Sequence, residues 1–285
     1  MRTVKLSIQL VAMSMMTFAQ TTMYINKYDN TTDSVNVSQI KSITFKSADT
    51  TTLTQGLVLY YQLNGNAIDS SGNHYNGIVY GATPTKNRFG IDSSAMSFNG
   101  SGNFIRVGDI LDDVFSVSAA KFSISGWAKT NVPGSVASGG GLIIGKTGGG
   151  IGPYQWAMAH YSDKTVHGHV ASDSLFTNGT SVMSSTAEMN EWFHFVFVFD
   201  GGLPINERIK IYINTELKNT FELQKGILGT HTANTSQEIC IGGQHLPGDS
   251  STPSIPTYNG SIDEIRIYNQ ALSLTEINAL YWSEN

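Results

Sequence analysis

The strongest constraint on this chain is a period of two. From Leu57 onward, "GLVLYYQL", "NFIRVG", "KFSISGWAKT", "YQWAMAH", "RIKIYINTEL" and "GSIDEIRIYN" alternate apolar and polar residues, with Gly, Asn, Ser and Asp clusters between them. That pattern predicts many short strands joined by turns. One segment differs in kind. In "WFHFVFVFDG", Phe193, Phe195, Phe197 and Phe199 share one face, while Trp192, His194, Val196 and Val198 share the other. Both faces are apolar, so this strand is expected in the middle of a sheet. The good helix signal is "SLTEINALYW", where Ser273 and Glu276 form a capping box ahead of Ile277, Leu280 and Tyr281. Many strands, 29 glycines and little helix predict an all-β fold, a two-sheet antiparallel β-sandwich with a short C-terminal helix.

The N-terminus reads as a leader. Arg2 and Lys5 flank the start of an apolar run from Leu6 to Phe18, and Thr17 and Ala19 place small residues at the positions that determine cleavage. Residues 1–19 are therefore expected to be a secretory signal peptide, too short and too polar for a membrane span. The chain carries a formal charge of −5, and losing Arg2 and Lys5 makes the remainder more acidic. An acidic chain without basic runs is a poor partner for nucleic acid or an anionic membrane. The single cysteine, Cys240, lies in an alternating apolar stretch, so it reads as a small buried hydrophobe and no internal disulfide can form. Rigidity must then come from a large core, a metal, or both, and at this length roughly three-quarters of the unfolded surface can be buried. Residues 20–46 hold two β-rich runs around a turn-rich "DNTTDS" and are expected to form a small β-hairpin. It reads as an appendage, with extra edge strands on the sandwich as the alternative. Residues 47–55 read as a linker into a main domain of residues 56–285.

Near the C-terminus, "NGSIDEIRIYNQALS" sets Asp263 beside Glu264 in an otherwise alternating strand. One of the two must point roughly where the core is, and it needs a partner. This stretch continues as "SLTEINALY" and resembles the close of laminin-G-like jelly-roll domains of bacterial secreted proteins, members of the concanavalin A-like lectin/glucanase superfamily. "GLVLYYQLNGNAIDSSGNHYNGIVYGATPTKNRFGIDSSAMSFNGSGNFIRV" resembles the opening of the same domains. "KFSISGWAK" and "NEWFHFVFVFDG" agree, so the resemblance covers about Gly56 to Tyr281.

The resemblance implies a jelly roll whose first and last strands lie side by side, with the helix from Ser273 packed outside. It also implies a structural calcium where the loops of those strands meet. Here that points to Asp69 and Asn73 in "DSSGNHYNG" and to Asp263. Calcium takes six to eight hard oxygens, and this loop offers carboxylate, amide and backbone oxygens within a few residues. The other reading of the same residues is an Asx-turn at Asp69 and a salt bridge from Asp263 to Arg88 or Arg266. Strand alternation places Glu264 on the opposite face from Asp263.

The same superfamily includes glycoside hydrolases, which need two carboxylates flanking the scissile bond. Retaining enzymes of this fold commonly carry a Glu-x-Asp-x-x-Glu strand, and no such spacing occurs; Glu191 and Asp200 stand at opposite ends of the phenylalanine-rich strand. The chain is therefore read as non-catalytic. His167 and His169, with His160 nearby, have a spacing that can bind zinc, but no third ligand follows at a recognisable offset, so exposed strand histidines are expected. "GKTGGG" sets Lys146 before its glycines, the reverse of a phosphate-binding loop, and reads as a flexible loop. Tyr154, Trp156 and Tyr161 follow "GGGIGP". Aromatics beside glycine loops suit stacking on sugar rings, although Tyr154 and Trp156 also alternate as core residues do. The expectation is a secreted, non-catalytic module that binds carbohydrate or a surface glycan. The rival is an adhesive domain that binds an extracellular protein.

Overall fold

The computed structural model describes residues 22–26, 32–39, 53–131, 141–147, 154–161, 163–173, 179–184, 186–218, 220–244 and 258–282. The expected leader, residues 1–19, lies outside them. The chain divides into two compact units, Met1–Ser47 and Ala48–Asn285. In the first, β1 (Thr22–Asn26) and β2 (Thr32–Asn36) pair antiparallel as a two-stranded sheet, with Thr22 opposite Asn36. The Asn36 side chain accepts hydrogen bonds from the Ser38 N–H and hydroxyl, which turns the chain into a 3-10 turn at Val37–Gln39.

The second unit is a sandwich of two antiparallel sheets. In spatial order, the first holds β16 (Thr220–Lys225), β12 (Gly179–Ser184), β11 (Val166–Ala171), β10 (Tyr154–His160), β9 (Gly141–Thr147), β17 (Ile239–Ile241), β7 (Phe104–Gly108) and β4 (Ile78–Tyr80). The second holds β15 (Glu216–Leu217), β14 (Ile209–Ile213), β13 (Phe193–Asp200), β8 (Lys121–Thr130), β18 (Asn259–Tyr268), β6 (Ala95–Asn99) and β5 (Thr83–Thr85), with β3 (Leu57–Tyr61) also on β18. The first and last strands of the sandwich are neighbours, as the resemblance implies: Ile265 faces Tyr61 and Arg266 faces Tyr60. β18 has two partners along one edge. Residues 259–262 pair with β6 and residues 265–268 pair with β3, so the neighbour changes at Asp263 and Glu264.

The two apolar faces of β13 explain its place between β14 and β8. Phe195, Phe197 and Phe199 join the core between the sheets, where burying each such side chain stabilises the fold by about 1.5–3 kcal/mol. Two glycines make room for them. A Cβ at Gly126 would come 2.9 Å from the Phe195 ring, and one at Gly168 would come 2.6 Å from the Phe197 ring. The other face presents Val196 and Val198 to α1 (Leu274–Trp282), which covers them with Ile277 and Leu280. The capping box forms as expected: the Ser273 N–H donates to Glu276 Oε2 at 2.7 Å, and the Glu276 N–H donates to Ser273 Oγ at 3.3 Å. Cys240 is buried in β17. Part of the expected linker is anchored, because the Tyr268 hydroxyl donates to the Leu53 carbonyl at 3.0 Å.

Candidate functional site

Asp69 organises the turn that follows β3. Its Oδ1 accepts the N–H groups of Tyr60 and Ser71 at 3.0 and 2.9 Å, and its Oδ2 accepts the Tyr75 N–H and the Ser71 hydroxyl at 3.0 and 2.9 Å. Burial alone would raise the carboxyl pKa, but these donors together hold it below the ordinary value. Four donors occupy the roughly four acceptor positions of a carboxylate. Asn73 is exposed, with its Nδ2 donating to the Val58 carbonyl at 2.9 Å. Asp69 bridges Tyr61, which in turn faces Ile265 across β3. It therefore stands two strand spacings from β18, about 10 Å.

The residues do not fit a calcium shared by Asp69, Asn73 and Asp263. The ion would have to displace donors that already satisfy Asp69, and the two carboxylates lie on opposite sides of β3. Among the described residues, no group of three or more His, Cys, Asp or Glu is placed to hold a metal. Asp69→Asn should accordingly turn an amide toward N–H groups and cost about 1–3 kcal/mol through facing donors. Urea unfolding should show the same loss with calcium or with chelator. A loss that vanishes in chelator would return the metal to this turn.

Asp263 belongs to a different arrangement. It and Glu264 are both buried, at 1 % exposure each, and one guanidinium nitrogen of Arg88 reaches both, so the expected alternation of faces fails at this point. The cause is a register irregularity in β18 between Asp263 and Arg266, with Glu264 in the left-handed region at φ +52°. Arg88, from the loop after β5, enters where β18 exchanges β6 for β3. Its Nη1 lies 2.8 Å from Glu264 Oε1 and 3.5 Å from Asp263 Oδ2. Arg266 Nη1 holds the other Glu264 oxygen at 3.1 Å.

Aromatic rings complete this enclosure. The Arg88 guanidinium lies 4.4 Å from the Trp127 ring centroid, and that of Arg266 lies 4.0 Å from Tyr60. Tyr281 of α1 stacks on Trp127 at 5.3 Å, and His194 lies 5.2 Å from Trp127. Burial and the Glu264 charge push the Asp263 carboxyl up to about 8, against the pull of Arg88. Burial and the two guanidiniums push His194 down to about 3. The cluster ties a loop, four strands and a helix together, with Arg88, Asp263, Glu264 and Arg266 all buried.

The three expected ligand-binding aromatics part company. Trp156 is 0 % exposed and sits in the core beside Phe115 and Phe122, so it offers no face to a ligand. Tyr154 opens β10 opposite Thr147, and its side chain lies outside the described residues. Tyr161 remains at the surface, half-buried, just past β10. Its ring packs 4.0 Å from His167, which is 5.8 Å from His169, all on the outer face of the first sheet. The small residues Ala157 and Ala159, opposite His169 and His167, leave the space that Tyr161 covers. The three histidines do not converge, and His167 and His169 are half-buried on β11 where exposed strand histidines are expected. His160 is buried on the core side, with Nδ1 2.6 Å from Thr130 Oγ1 and Nε2 3.1 Å from the Ala187 carbonyl. Lys146 also departs from its flexible-loop reading: it lies in β9, fully buried, with its ammonium 2.6 Å from Asp109 and 2.8 Å from Asp112.

Glu191 lies just before β13 and Asp200 ends it, nine residues or about 30 Å apart at strand rise. Glycoside hydrolysis needs carboxyl groups about 5–9.5 Å apart. Asp200 is also engaged, by Lys121 at 3.0 Å.

Sequence and structure comparisons agree with this architecture. A laminin G-like family profile described as the concanavalin A-like lectin/glucanases superfamily matches residues 99–278, more than half of the chain. The chain belongs to that family. No curated protein matches it. Among solved structures, it is similar to the botulinum neurotoxin serotype D binding domain, with 20 % identity and a TM-score of 0.55 over 80 % of this chain and 51 % of that one. It is similar to domain 4 of a GH43 extracellular arabinanase from Geobacillus stearothermophilus in complex with arabinotriose, with 20 % identity and a TM-score of 0.50 over 79 % of this chain and 98 % of that one. A Trypanosoma rangeli sialidase mutant displaying trans-sialidase activity matches at 14 % identity and a TM-score of 0.52, over 79 % of this chain and 32 % of that one. The chain spans about half the length of the toxin domain. At these identities the likeness is one of fold. Among the described residues, no helix is long and apolar enough to cross a membrane.

Proposed function

We propose that this protein is an exported, non-catalytic module that binds glycans. The observation that carries the reading is the row of rings formed by Tyr161, His167 and His169 on the outer face of the first sheet. A half-buried tyrosine held in place by neighbouring rings can stack on the C–H face of a sugar, while imidazole nitrogens can meet its hydroxyls. The family and the arabinotriose-bound neighbour support the same reading. The spacing of the carboxylates supports binding without hydrolysis, and the leader-like residues 1–19 support export.

A glycan array probed with the full chain tests it. Binding should fall about tenfold on Tyr161→Ala, a loss of about 1.4 kcal/mol. No reducing sugar should appear on incubation with the bound glycan. Silence across the array, with retained binding to an extracellular matrix protein, would overturn the reading in favour of an adhesive domain.

A further inference from the structure

A second exposed ring stands on the same sheet, at its opposite side. β4 closes the sheet order next to β7, and its outward side chains are apolar: Ile78 is 54 % exposed and Tyr80 is 37 % exposed. Edge strands are ordinarily protected by charge, by proline or by brevity, so two outward apolar side chains on a three-residue edge need a reason. Tyr80 stacks almost parallel on Phe104, with centroids 4.6 Å apart and 10° between the planes. Phe104 is 5 % exposed, so it supports one face of Tyr80 while the other face turns outward. Arg106 sits beside this pair, opposite Ile78 in the ladder. Its guanidinium is forked onto Glu238, with Nε donating to Oε2 at 2.6 Å and a second bond from Nη2 to Oε1. The Arg106 side chain is 36 % exposed, so the planar group is reachable from solvent.

We propose that Tyr80, Arg106 and Glu238 form a second sugar-binding subsite, for a neutral pyranose ring. A flat, rigidly supported aromatic face suits the apolar C–H side of a pyranose. The partly exposed guanidinium supplies donors to adjacent hydroxyls of one sugar, and because the buried Glu238 holds and neutralises it, it calls for no charge on the ligand. The subsite is separate from Tyr161. In register, Ile78, Arg106, Cys240, Gly145, Ala157 and His169 form one row across six strands. Five strand spacings put the two ring groups about 24 Å apart.

The inference rests on the glycan-binding reading, and the test separates the two. Titrations of the full chain with cellohexaose, xylohexaose, mannohexaose and sialyllactose would be followed by saturation-transfer NMR and calorimetry, alongside Tyr80→Ala, Tyr80→Phe and Tyr161→Ala. The expected result is about a tenfold loss for a neutral hexasaccharide on Tyr80→Ala. Tyr80→Phe, which keeps the ring, should bind nearly as the parent does, and melting curves should show all variants folded. If Tyr80→Ala binds every probe like the parent while Tyr161→Ala loses binding, the second subsite is wrong and the glycan reading stands. If the parent binds none of the probes, both fall. A concentration-dependent dimer of the parent that Tyr80→Ala abolishes would assign the β4 edge to self-association and overturn the subsite.

Discussion

Arg88→Met is expected to destabilise the chain by about 3–5 kcal/mol, the cost of taking its closer cation from the buried Glu264 carboxylate. Arg88 is the group that approaches both Glu264, at 2.8 Å, and Asp263, at 3.5 Å, and all three side chains are no more than 6 % exposed. Glu264 would keep Arg266 alone among the described residues, whereas Asp263, its carboxyl already pushed up to about 8 by burial, takes up a proton in place of an ion pair at neutral pH. Methionine keeps the first carbons of the stem and removes the guanidinium that lies over Trp127 and Phe89, so the loss should report the cation and its ring contacts. The double variant Arg88→Met with Glu264→Gln provides the control, because Glu264 is the carboxylate that Arg88 holds at 2.8 Å. If the penalty arises from uncompensated charge, removing one carboxylate should return part of it, giving a non-additive cycle of about 0.5–3 kcal/mol. Guanidinium unfolding followed by circular dichroism reads both values. Strict additivity would show that Arg88 acts through packing alone.

That cluster also marks the limit of what the residues announce. Alternation placed β13 centrally, paired the terminal strands through the family resemblance, and located the helix by its capping box. It placed Asp263 and Glu264 on opposite faces, although the pattern carries a contrary sign: Ile262 and Ile265 are three apart, while Ile265 and Ile267 are two apart. An odd step between core residues requires an inserted residue, and the left-handed Glu264 supplies it. Arg88 was visible as a nearby cation in the "KNRFG" turn. Its entry between β6 and β3 was not, because the exchange of neighbours along β18 is a property of the assembled sheet. The same holds for the metal reading. A loop rich in Asp, Ser and Asn matches calcium and an Asx-turn equally in composition, and the backbone N–H groups that Asp69 collects appear only once the turn is folded. Tyr80 gave no signal either, since "IVY" reads alike at a sheet edge and at its centre.

The aromatics after the glycine loop lead to the second large effect. Trp156→Ala should cost about 3–5 kcal/mol of stability, the range for truncating a buried aromatic in a core that cannot collapse around the gap. Trp156 packs 5.2 Å from Phe115 and 6.4 Å from Phe122, and Phe122 lies 5.2 Å from Phe199 on the facing sheet. Removing the indole therefore opens a cavity where the two layers meet. The bulk along β10 falls on this face as Trp156 and Met158, against Gln155, Ala157 and Ala159 on the other, so Trp156 belongs to the core even though Tyr161 lies outside. The indole Nε1 makes no hydrogen bond among the described residues, so Trp156→Phe forfeits volume but no bond and should cost less than Trp156→Ala. Urea unfolding should show a lower midpoint at an unchanged slope. Folded Trp156→Phe should bind glycan as the parent does, whereas Tyr161→Ala should lose affinity with little change in midpoint. A Trp156→Phe variant that keeps its stability and loses the ligand would place the indole against the sugar.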